Sequence, residues 1–197
     1  GNGGHARTYD ITDGRNQHYL SQLTNAIQCY NSKALTRFDI DGYMGNEYDV
    51  STGVPTAWVY GDGTYPLYDR IEVPRDVLLK TLDNYIEGVY SLKTDMGFDG
   101  IWLHMSYRHH WLGRFISPLT NKRTDEFGGE TAETRFAFPL LVAQRIKDRC
   151  GKSFIVEGSI SGHDPLDENG NTLDDVIKMA HMAEGAFDIL TVKGPWI

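Results

Sequence analysis

The stretch Asp99–Gly129, DGIWLHMSYRHHWLGRFISPLTNKRTDEFGG, opens as a short apolar strand, Ile101-Trp102-Leu103, and closes that strand on His104. Tyr107, His109 and His110 follow within six residues. A polar run, Ser117 to Asp125, then leads to the pair Gly128-Gly129. A parallel strand that delivers a histidine at its C-terminal end, followed by a long loop, is how α/β folds assemble catalytic sites.

Working outward, the flanking chain alternates between two periods. Upstream, Tyr19, Leu20, Leu23, Ala26, Ile27 and Tyr30 fall at helical spacing over 16–30, and Ser32 to Ile40 reads as a buried strand. Residues 41–73 show little periodicity. They are rich in glycine and in aromatic residues (Tyr43, Tyr48, Trp58, Tyr60, Tyr65, Tyr68) and read as a long functional loop inserted after the first clear strand. Pro74 stands where a helix begins, and Val77, Leu78, Leu82, Tyr85, Ile86 and Val89 form its apolar stripe. Downstream, Thr131 to Arg149 reads as a helix in which Pro139 shifts the start or kinks the axis. SFIVEGSIS at 153–161 is a strand, Thr172 caps a further helix that stops near Gly185, and FDILTV at 187–192 is the last strand. Four helix–strand alternations imply a parallel sheet with covering helices: an α/β fold.

Bulk properties narrow the class. The chain has 197 residues, 40% hydrophobic and 23% charged, an ordinary globular composition. It reads as a single domain over 1–197, or part of one, and lies at or below the lower limit for a complete eight-stranded α/β barrel, where about 250 residues is typical. A net charge of -8 argues against nucleic acid or an anionic membrane as partner. Cys29 and Cys150 carry no CxxC spacing and read as thiols of a reducing compartment. No apolar run reaches a membrane span and the N-terminus carries no signal-peptide core, so a cytoplasmic location is expected. The first residue is glycine, which points to a processed or trimmed end or to a longer protein.

Gly97-Phe98-Asp99-Gly100 through His104, together with Phe115 to Gly129, resembles the old yellow enzyme family, the FMN-dependent, NAD(P)H-oxidising ene-reductases. In that family the fourth barrel strand reads roughly GFDGVEIH and runs on to FLSPxxNxRxDxYGG. The resemblance implies a TIM-type (βα)8 barrel of which this chain supplies roughly strands three to six, with another chain or segment completing it. It implies FMN and NAD(P)H as cofactors, and reduction of the activated C=C bond of a small unsaturated carbonyl compound as the activity.

The resemblance also implies roles for individual residues. His104 takes the position of the family's carbonyl-binding histidine, and Tyr107 that of its second donor, where the family has asparagine or histidine. His109 or His110 takes the place of the proton-donating tyrosine. Against the family's third strand, QLxHxGR, the flavin-contacting glutamine becomes Arg37, the histidine Ile40 and the arginine Tyr43. The fifth-strand arginine that faces flavin N1 and O2 becomes Ser159. Arg37 either reaches that edge of the flavin or pairs with Asp39, Asp41 or Glu157. Asn121, Arg123 and Asp125 are expected to satisfy loop backbone, with no part in chemistry.

Several positions of the flavin site differ together, which keeps open a flavin-free barrel chain that serves as a binding or assembly subunit. Asp39, Asp41, His104, His109, His110 and Glu157 all fall near strand ends, as metal ligands do in barrel hydrolases, but they form no compact ligand motif. No metal is therefore assigned.

Overall fold

A computed structural model describes residues 10–44, 47–51, 70–108, 110–162 and 169–194. The elements run α1 (Gly14–Gln28), β1 (Leu35–Arg37), a short 3-10 turn (Ile40–Tyr43), β2 (Tyr48–Asp49), β3 (Ile71–Glu72), α2 (Arg75–Thr94), β4 (Gly100–His104), α3 (Trp111–Ile116), α4 (Ala132–Cys150), β5 (Ile155–Ser161), α5 (Leu173–Ala183) and β6 (Ile189–Lys193). Strands β1, β4, β5 and β6 form one sheet in that order, every pair parallel. The middle of the 41–73 loop lies outside the described residues; its ends carry the 3-10 turn and the parallel pair β2–β3.

Three of the helices have a side-chain cap at their start. Asp13 caps α1 by accepting from the Arg15 N–H at 2.9 Å. Thr131 and Thr172 each form a reciprocal capping box, with Thr134 and Asp175, at the starts of α4 and α5. Pro139 neither moves the start of α4 nor ends it: the helix begins after Thr131 and runs through the proline to Cys150.

Alternation along the strands divides the sheet into two faces. Ile101, Leu103, Val156 and Ile160 are buried in the main core. That core also holds Leu78, Leu82, Tyr85 and Val89 of α2 and Phe136, Val142 and Ile146 of α4. Burying each such side chain contributes about 1.5–3 kcal/mol before entropy is set against it. On the opposite face the register aligns Arg37, Trp102, Glu157 and Ile189 in one row, and His104, Ser159 and Thr191 in the next. Polar and aromatic side chains thus line the face turned away from α2 and α4.

Helix α1 forms where the spacing placed it but packs lightly. Its packing is confined to a small cluster, Ala34, Leu92, Met96 and Phe98, against which Leu20 and Ile27 rest. Tyr19, Leu23 and Tyr30 of the stripe are exposed. Polar contacts do much of the anchoring: Thr24 Oγ1 donates to the Met96 carbonyl at 2.6 Å, and Gln28 Nε2 to Gly97 O and to Asp99, each at 2.8 Å.

Asp99, at the foot of β4, gathers Lys33 Nζ at 2.8 Å, the Ala34 N–H at 3.0 Å and Gln28. Burial works to raise its carboxyl pKa, but these donors outweigh that and hold it below the ordinary carboxylate value. A depressed folded-state pKa contributes stability above the unfolded value, about 3.9, and that stability is lost as pH falls through the folded pKa. Asp99→Asn is therefore expected to be less stable than the parent at pH 7, with the gap narrowing below pH of about 4. Urea unfolding at both pH values checks this, and a gap that widens in acid overturns it.

Candidate active site

The C-terminal ends of the four parallel strands converge on His104. The turn after β4 is stitched to β5: Met105 N–H donates to the Ser159 carbonyl at 3.0 Å, Ser106 Oγ lies 2.9 Å from Ser159 Oγ, and Ser161 Oγ donates to the Ser106 carbonyl at 2.5 Å. From the other side α3 presses on the same turn. A Cβ added at Gly113 would stand 2.0 Å from the Tyr107 carbonyl oxygen, so only glycine permits this approach. The turn presents Tyr107 and His110 to His104.

Four rings surround one locus. The His104 centroid lies 5.0 Å from that of Trp102, 4.8 Å from that of Tyr107 and 4.5 Å from that of His110. His104 is only 4% exposed. Trp102 Nε1 is buried and meets no hydrogen-bond partner among the described residues. His109 lies outside the described residues.

Arg37, at the end of β1, is engaged on two sides. Its Nε donates to Asp39 at 2.6 Å and its Nη2 lies 2.9 Å from His110 Nε2. An arginine only donates, so the nearer imidazole nitrogen accepts. The Nδ1 of His110 stands 3.5 Å from Asp41, whose carboxylate also accepts the Trp111 N–H at 3.2 Å. Among the described residues, Asp39, Asp41 and His110 are the trio whose ligand atoms lie within 4.8 Å of one another, and His104 and Glu157 stand outside it. The Arg37 guanidinium already supplies the cation there.

Ser159 is fully buried, its hydroxyl paired with Ser106 beneath the turn. Lys193, at the end of β6, places its ammonium 4.8 Å from the Trp102 ring centroid and 5.2 Å from that of Tyr107. Sequence reasoning missed Trp102 and Lys193. Trp102 looked like one more apolar strand residue, and no local pattern brings Lys193 to a ring 91 residues away in sequence.

The polar loop fastens this rim. Asn121 Nδ2 donates to the carbonyls of Phe115 and Phe127 at 2.9 and 2.8 Å, while its Oδ1 accepts the Arg123 N–H. Arg123 grips the Val73 carbonyl at 2.8 Å, the Val50 carbonyl at 3.3 Å and the Asp125 carboxylate. A Cβ on Gly129 would come within 1.8 Å of the Asn121 carbonyl oxygen, which explains the glycine at the end of the run. Below α3, Arg114 Nε donates to Asp49 at 2.6 Å, with both side chains almost completely enclosed. That burial pushes the Arg114 pKa below its ordinary value, against the pull of Asp49.

The family profile described as NADH:flavin oxidoreductase / NADH oxidase matches residues 2–194. The chain belongs to that family. It is 34% identical over 172 residues to an NADH oxidase of Thermoanaerobacter brockii, covering 84% of this chain and 25% of the relative. It is 31% identical over 176 residues to an NADPH dehydrogenase of Bacillus cytotoxicus, covering 87% of this chain and 47% of the relative. The chain thus spans a quarter to just under half the length of these two relatives. The old yellow enzyme homologue of Zymomonas mobilis superposes with a TM-score of 0.71 at 19% identity, over 93% of this chain and 54% of that one. The fold is therefore part of a TIM-type barrel, and the polar face of the sheet is the face that lines the barrel's interior. No helix among the described residues is long and apolar enough to cross a membrane.

Proposed function

We propose that this chain forms the central part of an FMN-dependent oxidoreductase that uses NAD(P)H to reduce the activated C=C bond of an α,β-unsaturated carbonyl compound. The observation that carries this reading is the gathering of His104, Tyr107, Trp102 and His110 at the strand ends. The donor set suits a flat, electron-accepting ring: aromatic walls, two cations at the rim and an indole N–H with no partner among the described residues. Arg37 and Trp102 would hold FMN from the interior face, and Ser159 would act through Ser106 by fixing the turn that carries Tyr107. Bound and reduced, FMN supplies hydride to the substrate's β-carbon.

The protein's own groups handle the charge that results. Negative charge grows on the carbonyl oxygen as hydride arrives, and fixed donors stabilise it without reorganising. His104 and Tyr107 are close enough to donate to one oxygen. The proton for the α-carbon would come from His109 or His110. His110 stands beside the site with Asp41 facing its Nδ1; for its Nε2 to deliver the proton, Arg37 would have to release that nitrogen. Strands beyond these four, needed to close the barrel, would come from a further segment or chain.

The test is a visible spectrum of the purified protein after incubation with excess FMN and desalting. Retained bands near about 370 and 450 nm are expected of a bound flavin. A colourless protein sinks this reading and leaves a flavin-free subunit.

A further inference from the structure

We propose that Arg37 is a positioning residue that fixes which nitrogen of His110 carries the proton. It thereby holds the His110 ring against His104, so that His110 supports the carbonyl-binding histidine and does not itself deliver a proton. The inference rests on the functional reading above and assigns roles within the same site.

His110 stands at the start of α3 with its backbone pinned on both sides. Its N–H donates to the Tyr107 carbonyl at 3.1 Å, and its carbonyl accepts the Arg114 N–H at 2.8 Å. The side chain is only 16% exposed, which leaves the ring little room to swing away. Arg37 Nη2 lies 2.9 Å from Nε2 and 3.3 Å from Nδ1, and Asp41 faces Nδ1 at 3.5 Å. A guanidinium has hydrogens to give and no lone pair to offer, so the nearer nitrogen, Nε2, is the one without a proton. The ring proton then sits on Nδ1, toward the carboxylate. The partner of one imidazole nitrogen decides the state of the other.

Arg37 is itself anchored for this task. Its Nε donates to Asp39 at 2.6 Å, and its guanidinium carbon lies 5.7 Å from the ring centroid of Trp102, the residue opposite it in the sheet. That distance is within reach of a cation–π attraction. From this fixed base Arg37 reaches His110, and His110 meets His104 edge to face, 4.5 Å between centroids at 67°. Three side chains from β1, α3 and β4 thus form one chain of contacts that ends on His104. The same contacts bar His110 from acting as the acid. An acid needs an N–H aimed at the substrate, and two N–H groups cannot face each other across the 2.9 Å between Nη2 and Nε2. The Nδ1 proton faces Asp41 instead, so the proton for the α-carbon comes from another group.

The test is nitrogen-15 NMR of the histidine rings in the purified protein at neutral pH, with the His110 signals identified by their loss in His110→Gln. The parent is expected to show a bare Nε2 and a protonated Nδ1. Arg37→Met should move the Nε2 signal toward that of a protonated nitrogen and shift the His104 ring signals with it. Arg37→Lys, which keeps a cationic donor, should restore the parent pattern at least in part; thermal unfolding midpoints verify that the variants are folded. A protonated Nε2 in the parent overturns the proposal, and that spectrum needs no variant. A signal that stays in place in folded Arg37→Met overturns it as well. Flavin retention is read separately: loss of FMN binding sinks the oxidoreductase, whereas retained FMN with a protonated Nε2 sinks only the role of Arg37.

Discussion

Asp49→Ala lowers the unfolding free energy by about 3–5 kcal/mol, the cost of leaving a buried charge without its partner. Asp49 and Arg114 have side-chain exposures of 1% and 5%, so water cannot take over the lost contact. Arg70 stands 3.9 Å from the same carboxylate and would lose its attraction too. The Asp49 carboxylate also accepts the Val50 N–H at 2.6 Å, which adds a stranded backbone donor. Urea unfolding measures the loss. The paired replacement Asp49→Leu with Arg114→Met should recover most of it, because buried ion pairs are often matched by apolar side chains of similar volume. A single variant within about 1 kcal/mol of the parent would show that the pair is not enclosed in solution.

His104→Ala reduces kcat for an unsaturated carbonyl substrate by about 10²–10³, the usual cost of removing one fixed donor from a developing oxyanion. Tyr107→Phe costs less if His104 carries the shorter contact. FMN retention should change little, since His104 is read as a donor to substrate. Steady-state rates with a panel of enones and enoates, alongside the visible spectrum of each variant, separate the two effects. Loss of flavin together with rate would make His104 a cofactor support. An unchanged rate would remove it from the chemistry.

Much of the architecture was legible because it is local. The 3.6-residue spacing of Val77 to Val89, the threonine caps at 131 and 172 and the apolar cores of β4 and β5 each depend on neighbours within a few residues. The run from Phe115 to Gly129 was legible for a related reason. Asn121 and Asp125 satisfy backbone groups two to six positions away, so the residue types and their spacing are part of the sequence.

The misses share the opposite property. Strands β2 and β3 are two residues each, and pairing joins Tyr48 to Ile71 across a stretch with no periodicity. Helix α3 is six residues long, and its start is fastened by Asp41 from another part of the chain. The helical spacing on α1 is present, yet Tyr19, Leu23 and Tyr30 lie exposed, because burial depends on what stands opposite. The sequence placed His104 at the end of a parallel strand, since a strand's direction and register follow from its own pattern and the loop behind it. The pairing of Arg37 with Asp39, two residues on, was among the sequence expectations, but through-space packing alone set the rest of the surroundings of His104: Arg37 on His110, Ser159 under Ser106, and Lys193 over Trp102 and Tyr107. Hydrogen-bond and ring contacts act over a few ångströms in space, and separation along the chain does not record which groups the fold brings that close.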